Sequence, residues 1–277
     1  MLRSLLKNSR FTFSAVLLLI IVLVGVIGPL IRRANPLFAV GGRYDRPDSK
    51  LWLGTDAIGN DVFLQLIHGI GNSLYIGLVA GVIATLIGVI IGLSAGYFGG
   101  LLDEVLMGMT NVFITIPTIV ILVLLSVTLN SRSTVLLGVI IGVTSWPWTA
   151  RAVRSQAASL RSREHVDVAR LSGISTPRIL MGEILPYMAS YVVMAFVLQM
   201  SSGILNEAGL SLLGLGPDNS ISLGKLLQGA LQGEALRTGA YWAILPPTLI
   251  LALISFALLM VQSSLDEYFN PRLRRNT

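Results

Sequence analysis

A few places in this 277-residue chain bring together residue types that could do chemistry. Gly92-Leu93-Ser94-Ala95-Gly96 has the letters of the G-x-S-x-G nucleophile elbow. That elbow needs a strained strand-to-helix turn to expose the serine, and an acid and then a histidine further along the chain. Ser94 instead lies near the end of an apolar helical run, and the one later histidine, His165, belongs to a basic loop. Covalent catalysis is therefore not expected here. Gly224-Lys225 approaches a phosphate-binding loop, but Asn219 stands where the first glycine belongs and Leu226 where the hydroxyl belongs. No nucleotide site follows. His68 and His165 are far apart and neither sits in an H-E-x-x-H, and with no cysteine in the chain both thiolate metal sites and thiol chemistry are absent.

The elements that would carry these residues are set by composition. Apolar residues make up 53% of the chain and charged residues 12%, with mean hydropathy +0.77. A soluble domain carries about 25% charge, so a soluble globule, a disordered chain and a disulfide scaffold are excluded together. Six apolar runs are long enough for helices across the bilayer, which needs about 20 residues each. They lie at about 11–31, 73–97, 105–129, 134–150, 187–206 and 241–261. The first follows Arg3, Lys7 and Arg10, and it is too long for a signal peptide and has no small-residue cleavage site, so it reads as an uncleaved anchor. The chain divides into an anchor helix and extracytoplasmic segment at 1–72, a five-helix core at 73–263 and a cytoplasmic tail at 264–277.

An N-in, C-in arrangement places 12 Lys and Arg inside and 8 outside, as the positive-inside rule requires. Arg32-Arg33, just beyond the first run, is a counter-signal. The net charge of +6 is accounted for by loops, and no basic face interleaved with aromatics offers itself to nucleic acid. Span interiors hold no ionisable residue, Glu207 at the outer end of the fifth being the near exception. That argues against a proton relay. Small-xxx-small steps at Gly77/Gly81, Gly88/Gly92/Gly96 and Gly138/Gly142 let helix backbones approach closely.

The longest inner loop, 151–186, carries the punctuation of two short helices. The first ends at Gly173, a C-terminal cap; the second starts from Ser175 or Thr176 with Pro177 in its first turn. Val166, Ala169 and Gly173 form a narrow small-apolar stripe among Arg163, Glu164, Asp167 and Arg170. Such a helix suits a partner's groove or a membrane surface. Residues 207–240, rich in glycine and leucine, are too broken for a span and too apolar for a free loop, and are expected to pack on the outer ends of the spans.

Asp167-Val168-Ala169, Gly173 and Ile184-Leu185-Pro186 resemble the E-A-A, G and I-L-P positions in the cytoplasmic loop of permease subunits of ATP-binding-cassette importers. Asp167 and Val168 depart from that pattern while keeping charge sign and apolar character. The segment from Trp52 to Phe63 is similar to the W-L-G-T-D-x-x-G-R-D-V-F of the C-type subunit in dipeptide, oligopeptide and nickel permeases, with Asn60 replacing the usual Arg. It includes Gly54, Thr55, Asp56 and Asp61. Gly96 to Gly100, Leu210 to Gly216 and the tail from Asp266, with Asn270-Pro271-Arg272 for D-P-R, also resemble that subunit.

The resemblance implies an all-α integral membrane protein of the type I importer permease kind, with six transmembrane helices and multi-pass in the cell membrane. It implies a heterodimer with a second permease, two ATPase subunits holding ATP and Mg, an extracytoplasmic solute-binding protein, and no cofactor in this chain. Residues 163–173 (Arg163, Glu164, His165, Val166, Asp167, Val168, Ala169, Arg170 through Gly173) become the helix that couples to an ATPase. Peptides are the expected cargo, with oligosaccharides, nickel chelates or glutathione as alternatives. A channel or secondary carrier is the alternative of a different class.

Overall fold

The computed structural model describes residues 8–129 and 132–269. Among these the fold is helical, with two isolated bridges near residues 39–61 as its only extended pairing. Helix α1 is Ser9–Ile31, started by the Asn8 side chain, which accepts from the Arg10 and Phe11 amides. Helix α2, Val62–Phe98, is the axis of the molecule. At 1.5 Å per residue its 37 residues reach about 55 Å, well beyond about 30 Å of hydrocarbon. It begins before the apolar run at 73, because Asp61 accepts from the Phe63 and Leu64 amides and so fixes the first turn. The boundary expected at residue 72 falls inside it.

The third apolar run is not one helix. Helices α3, Gly100–Thr115, and α4, Thr118–Thr128, meet at an 84° bend. Pro117 causes the break: it disfavours helical geometry at the residue before it, and Ile116 is extended at φ −82°, ψ 126°. Helix α5, Thr134–Arg161, runs beyond its apolar stretch, so residues 151–161 are helix rather than loop. Arg154 anchors this extension by a two-pronged pair with Asp103 of α3, Nε to Oδ1 at 2.8 Å and Nη2 to Oδ2 at 2.5 Å.

Helix α6 is Glu164–Leu171 and α7 is Thr176–Ile179. A π-helical stretch, Leu180–Ile184, and a 3₁₀ turn, Pro186–Met188, join α7 to α8, Ala189–Leu210. A second π turn, Ser211–Leu215, leads toward the outer helix α9, Leu223–Gln232, and the last helix, α10, is Tyr241–Phe269. Five helical stretches have the length and apolarity of a span, and the bent α3–α4 pair supplies a sixth. Asn270-Pro271-Arg272 lie outside the described residues.

The glycine steps turn out to be internal seams around α2. A Cβ on Gly92 would stand 2.5 Å from the Ala150 carbonyl oxygen, and one on Gly77 2.4 Å from Ile204. The stripe at 88, 92 and 96 therefore seats α5, the step at 77 and 81 seats α8, and Gly138 and Gly142 return the contact from α5 to α2. Ser94, between two of these seam glycines in sequence, bonds the Ile90 carbonyl of its own helix at 2.8 Å, so the motif's glycines mark a helix crossing. Another close approach, Gly25 of α1 on Gly71 of α2, seats the anchor helix.

Candidate functional site

Three parts of the molecule are built for contact: the loop helix α6, a cavity in the spans, and a collar at the opposite end.

Helix α6 is held by its small-apolar stripe, but from the other side than the sequence suggested. Val166 and Ala169 are buried with Leu93 and Tyr97 of α2, Val153 and Ala157 of α5, and Ile179 and Ile184. The stripe faces the chain's own spans. The opposite face presents Val168 at 62% and Leu171 at 89% exposure, among the exposed Arg163, Glu164, Asp167 and Arg170. Arg170 lies over the Tyr97 ring at 5.1 Å and pairs with Asp167 at 3.2 Å. His165 stacks on Tyr187 with ring centroids 4.5 Å apart. Gly173 closes the helix at φ +74°: its amide bonds the Arg170 carbonyl and the Ile174 amide reaches back to the Ala169 carbonyl. This is the paired Schellman closure, which favours glycine.

A cavity of about 630 Å³ opens between α3, α4, α5, α8 and α10. Its lining includes Thr144 and Thr149 of α5 and Gln199, Ser202 and Asn206 of α8. Gln199 donates to the Ser145 carbonyl at 2.9 Å and to Thr149 Oγ1 at 2.7 Å. Asp266, on the part of α10 that continues beyond the apolar run, is the one charged side chain lining it among the described residues. The sequence reading missed this site. Its signal is a polar row at 199, 202 and 206, spaced i, i+3, i+7 along an otherwise apolar helix.

The collar holds the other motif residues, and each has a structural task. Gly54 sits at φ +61°, where a Cβ would meet the Asp45 carbonyl oxygen at 2.4 Å. Thr55 is fully buried; its hydroxyl donates to the Gly42 carbonyl and accepts the Asp45 amide, both at 2.7 Å. Asp56 accepts from the Ile58 and Asn60 amides and from the Asn60 and Gln65 side chains. Asn60, where the pattern has Arg, is thus spent inside the turn. Asp61 caps α2 and lies 3.6 Å from Arg32. That arginine also stacks over Trp52 and Phe63 at 5.1 and 5.2 Å, which gives the charge beyond the first span a fixed seat.

The collar extends to α9, which buries Leu223, Gly224, Leu226 and Ala230, as expected of a segment packed on the span ends. Gly224 is pressed against Ala208, and Lys225 donates to the Pro217 and Asp218 carbonyls. Burial lowers the Lys225 ammonium below the ordinary lysine range, against the pull of Asp218. This lysine caps a loop. Among the described residues no group of three or more metal-ligating side chains comes together.

One end of the molecule thus carries the collar, and the other carries α6. Phe11 of α1, Phe269 of α10 and Tyr191 of α8 pack on one cluster with Met194 and Leu265, and Tyr191 also touches the α6 cluster, so the start of α1 and the end of α10 share the α6 end.

Residues 88–275 match the family described as binding-protein-dependent transport system inner membrane component. The chain is 33% identical over 277 residues to the oligopeptide transport system permease protein OppC of Mycobacterium bovis, covering 98% of this chain and 94% of that one. It is 30% identical to the dipeptide transport system permease protein DppC of Bacillus subtilis, over 99% of this chain and 85% of that one. An inward-facing structure of the MetNI methionine ABC transporter superposes with a TM-score of 0.57 at 19% identity, over 74% of this chain and 94% of the matched chain, a likeness of fold. With five helices and one bent pair apolar and long enough to cross a membrane, a loop helix seated on two of them and a sequence match that covers most of its length, the chain belongs to the binding-protein-dependent transport system inner membrane components.

Proposed function

We propose that this chain is the C-type permease of an ATP-driven importer of short peptides, lining half of a pathway that a second permease completes. The α6 end faces the cytoplasm and the collar faces out, in line with the 12-to-8 charge bias. Two ATPase subunits, holding ATP and Mg, dock below; a solute-binding protein docks above.

The observation that carries the reading is mechanical. Helix α5 holds α6 through Val153 and Ala157 and lines the cavity through Thr144, Thr149 and Ala152. Movement of α6 by an ATPase would shift α5 as a rigid rod, and with it one wall of the cavity. Val168 and Leu171 supply the apolar contact, and Arg163, Glu164, Asp167 and Arg170 the charged rim. Asp167 and Val168, which replace the family's Glu and Ala, lie on this outward face, so the two departures are read by the partner rather than by the fold.

Peptide cargo is supported by the names of the two relatives and by the uncharged polar groups that α5 and α8 bring to the cavity wall, away from Asp266 at its α10 side. Amide and hydroxyl groups at Gln199, Ser202, Asn206 and Thr144 can exchange hydrogen bonds with main-chain amides without gripping a particular side chain.

The test is reconstitution of the complex in vesicles with its sister permease, ATPases and loaded binding protein. Uptake of labelled di- to pentapeptides that needs both ATP and binding protein is expected. Peptide-independent uptake of a nickel chelate, an oligosaccharide or glutathione would correct the cargo; uptake without ATP would return the protein to a channel or secondary carrier.

A further inference from the structure

Glu207 is fully buried at the outer end of α8. Its Oε1 accepts from Ser211 and Ser222 hydroxyls, each at 2.6 Å, and its Oε2 faces the Ser73 hydroxyl of α2 at 3.4 Å. Nothing in this cluster is a cation. A carboxylate brought out of water and given only hydroxyl donors is a costly thing to keep, so its placement calls for a use that packing does not supply.

The partners reveal where it acts. Ser222 is the N-cap of α9 and accepts the Lys225 amide at 3.1 Å. Ser73 accepts the Leu223 amide at 3.0 Å. Both serines therefore join the first turn of α9 to the carboxylate or to α2. The next residue back along α8, Asn206, lines the cavity. The far end of α9 is pinned to the collar, where Arg43 donates to the Gly233 carbonyl at 3.1 Å.

We infer that Glu207 is a positioning residue: it locks the N-terminus of α9, on the outer surface, to the cavity-lining helix α8, so that force applied to the collar reaches Asn206 and Ser202 rather than dissipating in a loose connection. The inference rests on the import reading, in which the solute-binding protein loads this face. Packing alone would not need the arrangement, since Gly224 already sits against Ala208. The hydroxyls add direction: they fix the rotation of α9 about its own first turn, which apolar contact leaves free.

The experiment uses the whole complex in nanodiscs and compares ATPase activity without and with loaded binding protein. Ser222→Gly removes the hydroxyl while keeping an acceptable N-cap residue; Glu207→Leu removes the acceptor at similar volume; Glu207→Gln keeps an acceptor oxygen for Ser211 and Ser222. Expected are unchanged activity without binding protein for Ser222→Gly and Glu207→Gln. Stimulation should fall about tenfold in Ser222→Gly, the size of one hydrogen bond to a carboxylate, and recover in Glu207→Gln. If Glu207→Leu does not assemble, Ser222→Gly decides. Full stimulation of Ser222→Gly overturns the inference, as does a proportional fall of basal and stimulated rates, which would mean loss of structure only. A wild-type complex that no binding protein stimulates would instead overturn the import reading itself.

Discussion

Gly173 offers the sharpest perturbation, because the structure separates two costs that usually come together. At φ +74° Ala, Leu and most other residues with a Cβ pay for left-handed backbone, about 1–2 kcal/mol. Yet among the described residues nothing beyond its chain neighbours lies within 4 Å of the position a Cβ would take. Within this subunit, Gly173→Ala and Gly173→Leu should therefore cost the same, and a shift of 1–2 kcal/mol lowers the ratio of closed to open α6 by about 5- to 30-fold at that joint. Asn tolerates the left-handed region, so Gly173→Asn should lie close to wild type. An ATPase seated beside α6 breaks the tie: Leu should then lose more transport than Ala. Peptide uptake and binding-protein-stimulated ATPase activity of complexes shown intact by size exclusion are the measurements. Normal uptake by Gly173→Leu in an intact complex would refute the coupling role of residues 163–173, and equal losses for Ala and Leu would place the partner's surface elsewhere.

Reporter fusions should report a cytoplasmic location after Gly173 and an external one near Pro47 and Asn219; an external Gly173 would dismantle the orientation. Ser94→Ala should leave uptake within a few fold of normal, whereas Gly92→Leu, two residues away, should abolish assembly because its side chain enters the Ala150 backbone, a contrast read by co-purification of the sister permease. Hydrogen exchange should be slow at Leu226–Ala230 of α9, which are tied into the collar; rapid exchange throughout 223–232 would make that helix a floppy connector.

Much of this was legible because the bilayer imposes simple rules. Apolar length gave six crossings, glycine spacing gave seams, and Gly173 with Ser175 and Pro177 marked the ends of α6 and α7. What stayed hidden depends on side chains far apart in sequence. Asp61 lengthens α2 through a cap that hydropathy does not register, and Arg154 extends α5 by reaching Asp103, 51 residues away. Pro117 was visible as a letter, but an apolar count passes over it. The inward turn of Val166 and Ala169 was ambiguous for another reason: a small-apolar stripe fits the subunit's own spans as well as a neighbour's groove, and only the position of Leu93, Val153 and Ile184 decides between them. The cavity row on α8 was readable at i, i+3, i+7, but its meaning needed Thr149 of α5 opposite Gln199.

The bend at Pro117 has a bearing on what fills the cavity. At 1.5 Å per residue α3 is about 24 Å long and α4 about 17 Å, so neither crosses the hydrocarbon alone and their junction lies at depth. The carbonyls at the end of α3 find no helical amides ahead of them, since the chain turns away and Pro117 has no N–H. Lipid cannot satisfy them, and backbone of this kind persists only beside protein or water. Phe113, Ile114 and Thr118, on both sides of the turn, line the cavity. Water admitted to the cavity would satisfy these carbonyls, and a peptide entering it would then exchange one set of water contacts for another instead of being stripped dry at the threshold.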